Sequence, residues 1–231
     1  CLNNTDNTIN DSNLIFCRFQ HQRSLKKHRS CFNGRNFTVL WRNFCLEVMT
    51  VSKGSLERAR GCMVAAGMFF QPGAEDISQA IELGLRTEDD PEEIYKTCVE
   101  RVTADKSVLA MASLIIFFLV RDRLPMKKAC IAAWKTADKF KDPIIKSLSE
   151  ALIAADTPKH RGKLVANFLK SNNLQDKLGL SIYLNVMEME DTFHAHMNEI
   201  RKQPDIETRI MASAFAGAVY GLKEVSAEKS Q

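Results

Sequence analysis

The sequence predicts an all-α protein, a compact bundle of about eight to ten helices. Three observations lead there. Apolar residues recur at three- and four-residue spacing through most of the chain beyond residue 55. No stretch keeps the alternation of a half-buried strand, and no short internal repeat is evident. Proline, glycine and capping residues divide the chain into segments of ordinary helical length.

Taken in order, a first helix runs from a Ser55 cap through Leu56 to Met68, with small and apolar residues on one face, and Gln71-Pro72-Gly73 ends it. Asp76 to Leu85 reads as a short helix closed by Gly84. Asp89-Asp90-Pro91-Glu92-Glu93 opens another that runs to about Val102, its acids favourable to the helix dipole. After the break at 103–107 comes an apolar helix, Val108 to Val120. Leu124-Pro125 opens a helix through Lys139 whose apolar side holds Cys130, Ile131, Ala133 and Trp134. Helices are also expected over Ile144 to Ala155, from Thr157-Pro158 to about Lys170, and over Leu174 to Met187, where Leu178, Ile182 and Val186 fall four residues apart. Asp191-Thr192 caps a helix with Phe193, Met197 and Ile200. The last helix begins at Asp205, just after Pro204, where a chain enters a helix rather than continues one.

Composition narrows the class. Residues 1–48 are Asn-rich and basic, with seven Lys or Arg against three acids, and they read as an extension to a single domain over 49–231. Their excess equals the whole net charge of +4, so the rest is neutral, which argues against nucleic acid as the main partner. Seven cysteines without a CxxC pair point to a reducing, cytoplasmic setting, with Cys62, Cys98 and Cys130 as core thiols. The thirteen apolar residues from Val108 to Val120 are too few to span a bilayer. The first residues lack the basic-then-apolar order of a secretory leader.

The last helix carries the chemistry. Ala214, Gly217, Ala218 and Gly221 recur at three- and four-residue spacing, a stripe that lets another backbone approach closely. A glycine inside a helix costs about 1 kcal/mol relative to alanine, so packing must compensate. At its start, Asp205-Ile206-Glu207-Thr208 reads either as a capped helix start or as oxygen ligands for a hard cation such as Mg²⁺. On a regular helix Asp205 and Glu207 diverge, so a shared cation requires Asp205 to lie in the preceding loop. His194 and His196 flank Ala195 and are expected to face solvent.

Two stretches resemble the ADP-ribosylglycohydrolase family. Glu57-Arg-Ala-Arg-Gly-Cys-Met-Val-Ala-Ala-Gly67 resembles its opening helix, R-x-x-G-(C/A)-L-x-G-x-A-x-G-D-A-L-G, and Gln203-Pro-Asp-Ile-Glu-Thr-Arg-Ile-Met-Ala-Ser-Ala-Phe-Ala-Gly-Ala-Val-Tyr-Gly-Leu222 resembles its closing motif, G-G-D-T-D-T-(I/V)-A-A-I-A-G-A-L-A-G-A-x-Y-G. Thr103-Ala-Asp105-Lys-Ser107 matches either its T-D-D-T metal motif or its later H-P-D-P helix. The resemblance implies an all-α fold and a two-magnesium site that hydrolyses an ADP-ribosyl bond, acting on ADP-ribosylated protein or an ADP-ribose-type small molecule. The metal ligands it implies are Asp205, Glu207, Thr208 and Asp105. The chain departs from the pattern where Phe69-Phe70-Gln71-Pro72-Gly73 replaces G-D-A-L-G and where Lys106 follows Asp105. These departures predict a degenerate site. They leave open a catalytically silent helical module that binds ADP-ribose or another protein.

Overall fold

The structure, a computed structural model, describes residues 52–86, 88–141, 166–187 and 190–227. All of them belong to one unit, Leu40–Gln231. The extension over 1–48 and the helices expected over 144–155 and from 158 to 165 lie outside the described residues. Within them all regular structure is helical, as expected. The helices are α1 (Lys53–Gly67), α2 (Glu75–Gly84), α3 (Pro91–Arg101), α4 (Lys106–Val120), α5 (Met126–Asp138), α6 (Leu174–Met187), α7 (Phe193–Arg201) and α8 (Ile206–Ala227). Residues 166–170 are also helical.

Local chemistry explains most of the starts. Asp90 accepts from the Glu92 backbone N–H at 2.8 Å, with Pro91 at the first helical position. Thr192 accepts from the Ala195 N–H at 3.2 Å. The first helix corrects its expected start. Its cap is Ser52 rather than Ser55, and Ser52 Oγ accepts from the Ser55 N–H, so the helix begins at Lys53. The apolar helix likewise begins at Lys106, two residues early. Asp105 precedes it in a left-handed conformation with φ 46°, and its carboxylate makes no capping bond.

Helix α4 is the axis of the fold. Every residue from Val108 to Val120 is buried, because α2, α3, α5 and α8 pack around it. Among the described residues no helix is long and apolar enough to cross a membrane. Helix α8 is likewise buried on all sides from Ile210 to Ala218. Ile210, Met211, Ala214, Phe215 and Ala218 join the α4 core, while Ala212, Ala216 and Val225 join a second cluster with Leu180, Tyr183, Leu184, Phe193, Met197 and Ile200 of α6 and α7. Helix α8 thus divides two apolar layers and holds them together.

The small-residue stripe finds its partner in α1. A Cβ on Gly217 would lie 2.2 Å from the Gly61 carbonyl oxygen, and one on Gly61 would lie 2.3 Å from that of Gly217. At Gly221 the chain leaves helical geometry, with φ 79° and ψ 172°, and α8 kinks there beside α1.

Helix α5 departs from the expected apolar side. Its buried residues are Met126, Ala129, Cys130, Ala133, Thr136 and Ala137, whereas Ile131 is 41% exposed and Trp134 half-buried. Ile131 lies one helical position beyond the buried stripe. Cys62, Cys98 and Cys130 are free, buried thiols, as expected.

Candidate functional site

The start of α8 is the centre of the site read from the sequence. Asp205 stands just outside the helix and Glu207 just inside it, the arrangement that lets two carboxylates two residues apart approach one cation. That cation belongs to the protein. Lys177 of α6 places its Nζ 3.3 Å from Glu207 Oε2 and 3.7 Å from Asp205 Oδ1. The lysine side chain is only 11% exposed, so the ion pairs are shielded from solvent.

Lys177 is held there by the helix it stands on. Lys177, Ser181 and Asn185 fall at i, i+4 and i+8 of α6, all buried against α8. Ser181 Oγ donates to the carbonyls of Lys177 and Thr208, at 2.8 and 3.2 Å. Asn185 Nδ2 donates to the carbonyls of Ser181 and Ala212, at 2.9 and 3.0 Å. Asn185 Oδ1 lies 3.2 Å from Nε2 of His196. A buried polar seam therefore runs down the α6–α8 contact, from the Lys177 ion pairs to His196. Each α8 carbonyl named takes a second hydrogen bond beyond its helical one, which fixes the register of the two helices. His196 corrects an expectation: it is fully buried, while His194 faces solvent. Residues 194 and 196 diverge on α7, and the face that carries Phe193, Met197 and Ile200 takes His196 inward.

Thr208 is also fully buried, and its Oγ1 has no hydrogen-bond partner. Arg209 follows it. Its Nε is buried without a partner, and its guanidinium lies over the ring of Phe69, 5.8 Å from the centroid. Phe69 stands where the family pattern has its G-D-A-L-G run, so an aromatic ring and a guanidinium face each other at that end of the site.

Asp105 is not brought into this group. It is exposed at the start of α4 beside exposed Lys106. The carboxylate that organises its loop is Asp76 of α2, which accepts from the N–H groups of Thr103 and Ala104, each at 3.1 Å, and from Thr103 Oγ1 at 2.6 Å. Burial alone would raise the Asp76 pKa. The three hydrogen bonds outweigh it and hold the carboxyl below its ordinary value.

Magnesium takes oxygen ligands in a near-octahedral shell. Among the described residues no three His, Cys, Asp or Glu side chains come together in a way that holds a metal ion. The carboxylates at the start of α8 already face an ammonium that a divalent ion would have to displace. These residues do not fit a two-magnesium centre. Asp205, Glu207 and Thr208 are neighbours in space, and Asp105 stands exposed in the loop that Asp76 organises. Lys177 and Asn185 are what the sequence reading missed. The available signal was their spacing with Ser181 on a helix whose other residues are nearly all apolar. No family model, curated protein or solved structure matches the chain.

Proposed function

We propose that this protein is a catalytically silent helical binding module with an ADP-ribosylglycohydrolase-like arrangement of its first and last helices. Its ligand on this reading is an ADP-ribose-type small molecule or an ADP-ribosylated protein. The observation that carries the silent assignment is the Lys177 ammonium against Asp205 and Glu207. It supplies the positive charge these carboxylates need, and a lysine cannot polarise and orient water as a coordinated divalent ion does. Two further observations support the reading. The stretches that resemble the family, 57–67 and 203–222, pack against each other through Gly61 and Gly217. The family pattern's acid falls on Phe70, and the neighbouring Phe69 lies under Arg209. The free thiols of Cys62, Cys98 and Cys130 support a reducing, cytoplasmic setting.

The test joins calorimetry to turnover. Titration of the full chain with MgCl₂ should give no saturable heat. Incubation with ADP-ribosylated protein and Mg²⁺ should release no ADP-ribose, whereas titration with ADP-ribose should give saturable binding. Release of ADP-ribose that D205N abolishes would establish the active hydrolase instead. Absence of ADP-ribose binding would remove the ligand from the proposal.

A further inference from the structure

Away from α8, the turn that leaves α4 gathers positive charge against the start of α1. Arg121, Asp122 and Arg123 follow one another out of α4. Arg121 is accounted for: it pairs with Asp122 at 3.4 Å, lies over the Phe117 ring at 4.8 Å and donates to the Asp89 carbonyl at 3.3 Å. Arg58 and Arg123 are not. Arg58 Nη1 donates to the Leu119 carbonyl at 2.8 Å, and Arg123 Nη2 donates to Ser52 Oγ at 3.0 Å. Among the described residues neither guanidinium is paired with a carboxylate. Burial, and then the charge of Arg123, lower the Arg58 pKa. The helix ends do not neutralise the pair. The C-terminus of α4 contributes about half a negative charge and the N-terminus of α1 about half a positive one, and these cancel.

The backbone brings Arg123 against the first turn of α1, the helix that carries Arg58. Arg123 has φ 52°, a left-handed conformation costly for an arginine. Its guanidinium lies against Gly54 in the first turn of α1, where a Cβ would stand 1.9 Å from Nη2. Any side chain at 54 would push the guanidinium away from Ser52. Two like charges held in this way, each with most of its N–H donors uncommitted, match a multiply charged oxyanion. A carboxylate carries one charge on two oxygens and would leave one guanidinium unmatched. A phosphate group carries up to two charges on oxygens that point in several directions.

We infer that Arg58 and Arg123 form a binding site for a phosphate-type oxyanion, gripped by two guanidinium forks, with Ser52 holding Arg123 in place. The inference does not depend on the silent-module reading, because none of these residues belongs to the Lys177 cluster.

Calorimetric titration of the full chain with inorganic phosphate, and separately with pyrophosphate, tests it in buffers matched for ionic strength with chloride. The wild type should bind at least one of them saturably. R123N tolerates the left-handed backbone and removes one charge. It should weaken binding at least tenfold and leave the Tm of the unliganded protein unchanged or higher, since the repulsion with Arg58 is gone. G54A keeps both charges but displaces the guanidinium, and it should weaken binding as well. Absence of saturable heat with both anions overturns the site, as does an R123N affinity equal to that of the wild type. If R123N does not fold, an unchanged affinity in G54A overturns it alone.

Discussion

Gly61 and Gly217 meet backbone to backbone, each standing where the other's carbonyl oxygen would strike a Cβ at 2.2–2.3 Å. The atoms in the way are main chain, so no side-chain rotation relieves the clash. Overpacking typically costs about 1–3 kcal/mol and at times more, while replacing a helical glycine by alanine returns about 1 kcal/mol. The main-chain clash at both glycines puts the cost at the upper end, so G217A is expected to destabilise the protein by about 1–2 kcal/mol in urea unfolding. Gly67, on the same helix as Gly61, has open space around it. G67A should be neutral or stabilise by up to about 1 kcal/mol. Similar losses from both variants would refute a close α1–α8 crossing.

Lys177 makes a second prediction. K177M keeps the length of the side chain and deletes the ammonium, leaving Asp205 and Glu207 facing each other without compensation. The expected loss is about 1.5–3 kcal/mol, the range for hydrogen bonds to charged groups, toward the lower end because Glu207 is partly exposed. Millimolar Mg²⁺ should leave the Tm of the wild type unchanged and raise that of K177M, because the variant presents two carboxylates with no resident cation. Equal responses of the two proteins would show that Lys177 does not occupy the cation's place.

Asp105 is expected to matter through its backbone. With φ 46° it sits where glycine is at ease and alanine is strained. D105G should stay within about 0.5 kcal/mol of the wild type, while D105A should lose about 1 kcal/mol. A metal ligand would behave differently, with both variants losing Mg²⁺-dependent stabilisation to the same extent.

Asp76 sets a pH dependence. Its carboxyl titrates below its ordinary value in the folded protein, so its contribution to stability is present above about pH 4–5, the upper edge of unfolded aspartate titration. The contribution declines as the pH falls through that range toward the folded pKa. D76N cannot ionise, so its stability should fall less steeply with acid over the same interval. Urea midpoints of the two proteins between pH 6 and about pH 3 check this. Parallel curves would mean that the Thr103 and Ala104 hydrogen bonds do not favour the charged carboxylate.

The sequence revealed the helices through their periodicity, and the α1–α8 contact through Ala214, Gly217, Ala218 and Gly221, because small residues at helical spacing have one physical use. Helix starts were less legible. Ser52 and Ser55 are both capping residues, and the choice between them depends on where the chain turns before α1. The Lys177 cluster left only a faint local signal, the spacing of Lys177, Ser181 and Asn185 on α6. A lysine between Asp176 and Leu178 looks solvated, and only the burial of α6 on several sides turns it inward. His196 was hidden for the same reason: its environment is made by Asn185 and Tyr220, from two other helices.

The contact between α1 and α8 joins the first and last of the described helices. A ribosome emits α1 early, and its glycine face then waits while almost the whole domain is synthesised. Helix α4 also emerges well before α8 can cover it. The nascent protein thus carries a long, exposed apolar intermediate that cannot close until Gly217 has left the exit tunnel, a state in which chains of this size aggregate and chaperones engage them. Docking of α8 onto α1, the contact between the described helices furthest apart in sequence, is therefore expected to come late in folding.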